Sequence, residues 1–196
     1  MRALLLPALL VLSACASTGG STDPAPTVDL AAPGTILNYE VAAGTEAYPF
    51  SVAIVQNDDA GTVFDFDLDL GRAEGRVTMS PAARRAAARG MLNTFDAESY
   101  DLEDQTSVWM SRSDVARLMS GETVAINVDG RSATAFTLDD CIPMTVNVHG
   151  ADVAVDACRY VGEGGRYIVA LDDEMDPLIL DMDAGPFSVT IQNATR

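Results

Sequence analysis

Residues 141–158 constrain this chain more than any other stretch, because a tight turn and two cysteines fix one another's positions. A two-residue turn at His149 and Gly150 pairs residues whose numbers add to 299, and Cys141 and Cys158 meet that condition. Counting outward from Val148 and Ala151, which close the turn with hydrogen bonds, the cysteines fall on a non-hydrogen-bonded pair. Such a pair holds its Cα atoms about 4.5 Å apart, which is within disulfide range. Pro143 falls opposite Asp156 on the same kind of position, where its missing N–H costs the ladder nothing. The expectation is a cross-strand disulfide, which for a loop of this size stabilises by about 3 kcal/mol.

Strand signals dominate the rest. Segments rich in β-branched and aromatic residues, bounded by Gly, Pro or Asp, run from Thr35 to Ala42, Tyr48 to Gln56, Thr62 to Leu70, Thr106 to Met110, Thr123 to Val128 and Ser132 to Leu138. They continue from Met144 to Val148, Asp152 to Ala157, Tyr167 to Leu171, Leu178 to Met182 and Phe187 to Gln192. Within the third, Phe64, Phe66, Leu68 and Leu70 alternate with Asp65, Asp67 and Asp69, so a period of two puts the apolar four on the core face. Asp129 and Gly130 mark a second tight turn, facing Val124, Ile126 and Val128 across to Ala133 and Ala135. Two short helices interrupt the strands. Ser80 caps one that begins at Pro81 and ends near Gly90, and Ser113 with Asp114 opens one that stops at Gly121.

The N-terminus has a different character. Met1 and Arg2 precede an apolar run from Ala3 to Leu12 and then small residues, the order of an export signal. Ten apolar residues in a helix cover about 15 Å, roughly half of what a membrane span requires. The signal closes on Leu12, Ser13, Ala14 and Cys15, which resembles the lipobox of bacterial lipoproteins. That resemblance implies cleavage before Cys15, acyl chains on its sulfur and amine, and stable anchoring, since one chain binds only marginally. Ala16 in place of Asp after the cysteine implies the outer membrane, facing the periplasm, in a two-membraned cell. Residues 1–14 are thus expected to be the leader. Residues 15–34, rich in Ser, Thr, Gly and Pro, are expected to be a flexible tether, and residues 35–196 a single domain. Cys141 and Cys158 then remain as an even pair in an oxidising compartment.

Charge and residue counts exclude several function classes. The formal net charge is −17, from 29 acids against 12 basic residues, none of them lysine. Nucleic acid is a poor partner for such a surface, and anionic head groups repel it, leaving membrane contact to the acyl chains. Without lysine, phosphate-loop and Ser-x-x-Lys mechanisms are excluded. His149 is the one histidine, and as a turn residue with no Gly-x-Ser-x-Gly motif in the chain it supports neither a catalytic triad nor a two-histidine zinc site.

Carboxylates are the remaining catalytic currency, yet no Asp-Thr-Gly or Asp-Ser-Gly motif occurs. Asp65, Asp67, Asp69 and Gly71 depart from a calcium loop, because the glycine comes one place late and position twelve is Arg76 instead of Glu. Asp172, Asp173, Glu174 and Asp176 before Pro177 read as a polar hairpin loop. Arg84, Arg85 and Arg89 give the first helix a basic side, expected to pair with neighbouring acids. No metal, cofactor or catalytic residue is expected.

The run from Tyr167 to Ile191, with Asp176, Pro177 and Leu178 at its centre, resembles the closing segments of periplasmic β-rich domains in bacterial lipoproteins of uncharacterised family. The resemblance implies a curved antiparallel sheet and carries over no chemistry. The expected fold is mainly β, a bent antiparallel sheet or open barrel of consecutive hairpins with two short helices. The expected function is an envelope lipoprotein binding an apolar or lipid ligand, or an envelope protein. The competing class is a carboxylate-based hydrolase of envelope polysaccharide, which requires two acids facing each other about 5–9.5 Å apart.

Overall fold

The computed structural model of the chain describes residues 28–96 and 98–196. The expected leader, Cys15 and most of the tether lie outside these residues. Strands β1 (Ile36–Ala43), β2 (Glu46–Asp58), β3 (Gly61–Leu68) and β4 (Ala73–Met79) form an antiparallel meander. Helix α1 (Pro81–Arg85) and strand β5 (Ser99–Leu102) follow, with β5 parallel to β4. After helix α2 (Arg112–Met119) comes a second antiparallel meander. It comprises β6 (Val124–Ile126), β7 (Thr134–Val148), β8 (Ala151–Gly162), β9 (Tyr167–Leu171), β10 (Ile179–Asp183) and β11 (Phe187–Thr195).

Pairing of β1 with β11 joins the two meanders into one sheet of 11 strands, ordered β5-β4-β3-β2-β1-β11-β10-β9-β8-β7-β6. Asn193 and Ala194 of β11 also pair, in parallel, with Asn147 and Val148 of β7. That contact bends the second meander back on itself into a partial ring. The fold is therefore mainly β and built of hairpins, as expected, with two parallel pairings making the sheet mixed.

The sheet closes over two adjoining clusters. One holds Leu37, Val52, Phe64, Val77, Trp109 and Leu180. In the other, Val115 and Leu118 of α2 cover Val124, Phe136, Tyr160 and Ile168. Burying each such side chain contributes about 1.5–3 kcal/mol. Leu30 and Ala31, inside the stretch expected to be tether, belong to the first cluster, so the packed domain starts before Thr35.

The hairpin arithmetic holds along its outer part: Val148 faces Ala151, Pro143 faces Asp156, and Cys141 faces Cys158. Beyond the cysteines the ladder continues, with a register shift between Leu138 and Asp140, so the two strands expected on the first side are one, β7.

Other expectations are corrected. Strand β3 stops at Leu68; Asp69 and Leu70 have positive φ in the following turn, and Leu70 is exposed, not on the core face. The Asp129–Gly130 hairpin is out of register by one residue, with Val124 opposite Phe136 and Ile126 opposite Thr134. Cross-strand partners share a face. The expected register would have set Val124 and Ile126 against Ala135 and Ala133, which are exposed, whereas Phe136 and Thr134 are buried.

Helix α1 ends at Arg85, not near Gly90, because the backbone beyond it is claimed elsewhere. The N–H groups of Arg89, Met91 and Leu92 donate to the carbonyls of Asp104, Asn127 and Thr106. Helix α2 is capped by Ser111, whose Oγ accepts from the Asp114 N–H at 3.2 Å; Ser113 hydrogen-bonds that hydroxyl from inside the first turn. Residues 106–110 are buried but make isolated bridges in place of a strand.

Candidate binding cleft

The features singled out in the sequence mostly resolve into structural pairs. Cys141 and Cys158 are joined by a disulfide with Cα atoms 4.0 Å apart. Asp65 and Arg76 face each other across β3 and β4 in a bidentate pair at 2.6 and 2.9 Å, and Arg76 holds the Asp65 carboxyl below its ordinary value. Asp67 instead accepts the Gly71 N–H, so the three acids of that strand do not converge.

Arg84 is almost wholly buried and pairs with Asp176 while donating to Asn57 Oδ1 at 2.6 Å and to the Met175 carbonyl at 2.7 Å. Arg89 pairs with Asp104. Asp173 accepts the N–H groups of Met175 and Asp176, which makes its loop the polar turn expected. His149 occupies its turn with φ +52°.

None of these residues lines the aromatic-walled cleft at the end of the sheet. The turns β1–β2, β10–β11 and β6–β7 gather at one end of the sheet, and between them lies an open cleft of about 260 Å³. Its walls are Tyr39 and Val41 of β1, Phe50 of β2, Ile179 and Met182 of β10, and Val189 of β11. Alternation turns Tyr39 and Val41 of β1 to one face, and on β10 the register shift between Ile179 and Asp181 breaks the alternation, so that Ile179 and Met182 both reach the cleft. Phe95, from the segment between α1 and β5, stacks 5.0 Å from Phe50 and 4.7 Å from Phe66, so the floor is a run of touching rings. Tyr39 donates its hydroxyl to the Ile179 carbonyl at 2.9 Å, and burial raises its phenol well above the ordinary value. It is a neutral wall.

The rim is polar. Asp129, at φ +54°, accepts the N–H groups of Asn93 and Thr94 at 2.6 and 3.0 Å and ties the segment carrying Phe95 to the β6–β7 turn. Gly90 permits the same docking, since a Cβ there would meet the Asn127 carbonyl oxygen at 2.1 Å. Arg131 borders this cleft and also a second compartment of about 260 Å³, which shares Met182, Pro186 and Phe187 with the first and adds Arg166 and Asp183.

Val108, deep in the cleft, has φ +65°. A β-branched residue there is strained, costing about 1–3 kcal/mol. The neighbouring Ser107 Oγ and Trp109 Nε1 are buried with no hydrogen-bond partner among the described residues, as is the Asn93 amide nitrogen at the rim. A strained residue and unsatisfied buried polar groups thus lie at or next to the cleft lining.

Sequence reading missed the cleft because its walls come from strands far apart in the chain. The Asp129–Gly130 turn was a local signal for the rim, but nothing local marked Asn93, Phe95, Val108 or Arg131. No family model, curated protein or solved structure matches the chain.

Proposed function

We propose that this chain is a lipid-anchored envelope protein, held through Cys15, whose β-rich domain binds an apolar small molecule. The observation that carries the binding half is the open cleft walled by Tyr39, Phe50, Phe95 and Val108. Its two compartments together approach the size of small-molecule sites, about 300–1,000 Å³, and mix apolar walls with a few polar groups in the usual way.

The placement of the N-terminal segment says how an anchored domain would be oriented. Val28 and Leu30 lie with His149 and Arg196 at the opposite end of the sheet from the cleft. An anchor pulling on residue 28 would leave the mouth facing away from its own membrane, open to incoming ligand. The carboxylate-hydrolase alternative draws no support from this cleft. The cleft borders one acid, Asp129, and the second compartment another, Asp183, and each accepts from backbone N–H through Oδ1.

Two experiments test the proposal. Radiolabelled palmitate fed to cells should label the wild-type chain and not Cys15→Ala; an unlabelled wild type would refute anchoring. Native mass spectrometry of the full chain carrying Cys15→Ala, purified without detergent, should show an added mass of lipid size. A bare mass would refute the carrier reading in favour of a protein partner.

A further inference from the structure

Given an apolar ligand in the cleft, the charges at its rim specify the other end of that ligand. Five arginines, Arg72, Arg76, Arg84, Arg89 and Arg117, form ion pairs with carboxylates. Six other described arginines form no ion pair, although acids outnumber basic residues 29 to 12, and of these six only Arg131 and Arg166 border the two compartments. Among the described residues the Arg131 guanidinium has no partner, while Arg166 donates one Nη1 hydrogen bond to Thr134 Oγ1 and no more.

Both arginines border the second compartment, and Arg131 borders the first as well. The two acids in the linings form no ion pair with them and hydrogen-bond to backbone instead. Asp129 is engaged by Asn93 and Thr94, and Asp183 accepts the Gly185 N–H at 2.7 Å. Gly185 in turn leaves room for Arg166, whose Nε would lie 3.2 Å from a Cβ at that position. The unpartnered Asn93 amide nitrogen adds a donor to the lining of the first compartment. A strongly acidic chain thus keeps two guanidinium groups unpaired with carboxylates at the mouth of its apolar cleft.

We infer that the cleft takes a single-chain carboxylate, its alkyl chain along Tyr39, Phe50 and Phe95 and its head group at Arg131 and Arg166. A carboxylate suits a guanidinium because two parallel N–H···O bonds form at once. An alcohol of the same length offers a single neutral acceptor oxygen in place of the bidentate, charge-assisted pair, and a quaternary ammonium is repelled. The inference rests on the apolar-ligand reading above and sharpens it to a head group.

The test is isothermal titration of sodium dodecanoate, 1-dodecanol and dodecyltrimethylammonium, each below its aggregation limit, into the full chain carrying Cys15→Ala. Dodecanoate is expected to bind at least about tenfold more tightly than dodecanol, the gain of one charge-assisted hydrogen-bonding site. Arg131→Gln, at an exposed position with no side-chain hydrogen bond to lose, should erase that preference by bringing dodecanoate affinity down to that of dodecanol. Equal affinity of the wild type for dodecanoate and dodecanol, or tighter binding of the ammonium, would overturn the head-group inference and leave the apolar cleft standing. A preference that survives Arg131→Gln and also Arg131→Gln with Arg166→Gln would overturn the assignment to these arginines. Failure of all three probes to bind would refute the cleft as a site, and both readings with it.

Discussion

The β7–β8 hairpin and the segment 86–110 are built on opposite principles. In the hairpin every residue from Val148 and Ala151 out to the cysteines takes the partner that turn geometry assigns, and a disulfide fastens the far side. The segment between α1 and α2 has almost no regular structure beyond β5. Its backbone donors go to carbonyls of Asp104, Thr106 and Asn127, and it carries a strained valine and unsatisfied buried groups. Yet it delivers Trp109 to the core and Phe95 and Val108 to the cleft. Local rules make the scaffold; long-range contacts hold the part that shapes the cleft.

If that contrast is right, the irregular segment is where a single side chain matters most. Trp109→Ala is expected to lower unfolding free energy by about 3–5 kcal/mol in urea titration, because Trp109 is fully buried against Phe64 at a ring separation of 5.8 Å. A loss below about 1 kcal/mol would mean the segment is draped over the core and does not form part of it.

The hairpin should lose less from its covalent link. Cys141→Ala combined with Cys158→Ala is expected to cost about 3 kcal/mol, while amide cross-peaks by NMR still report Met144 opposite Val155. A changed register would show that the disulfide, and not the turn, sets the pairing.

A paired substitution isolates the strain. Val108 and Val146 are both buried, but only Val108 has a positive φ. Val108→Gly should therefore be milder than Val146→Gly by about 1–3 kcal/mol, the conformational cost that glycine escapes. Equal losses would remove strain from the description of the cleft.

The smallest effect belongs to the ion pair on β3 and β4. Both side chains are about half exposed, so Arg76→Gln should cost the least of these substitutions, a loss close to the resolution of urea titration. The Asp65 carboxyl is held below its ordinary 3.8 in the folded protein, so the pair stabilises above that pH and its contribution fades as pH falls through the lower folded value. The deficit of Arg76→Gln should thus be present at pH 7 and shrink below about pH 3.8. A deficit that persists in acid would point to lost packing instead of lost charge.

The same contrast explains what was legible in the sequence. Hairpins were readable wherever alternation and a turn signal coincided, as at His149–Gly150. The Asp129–Gly130 turn was found but its register was missed by one, because burial of Phe136 decides it and burial is not local. Strand β4 was overlooked because Glu74, Gly75 and Arg76 interrupt its apolar pattern. Gly75 is there for a neighbour: a Cβ would sit 2.2 Å from the Glu98 carbonyl oxygen, at the approach to β5. The run Thr106 to Met110 has strand composition, yet it is buried on the way to α2 without a full ladder. The cleft was illegible for a related reason, since its walls meet only after β1 pairs with β11.

That pairing also sets a timetable. The first strand of the domain completes its ladder against the last, so the central seam of the sheet cannot form until residues 187–195 have been delivered. A chain threaded N-terminus first through an export channel would leave β1 with one open edge, and the core half-roofed, until the final strand arrived. Such sequence-distant closure slows folding, and in a chain exported that way it would keep the polypeptide unfolded for as long as it was in transit. The arrival of β11 would fasten both meanders in one step, making release from the channel, and not synthesis of any earlier strand, the event that commits the molecule to its native shape.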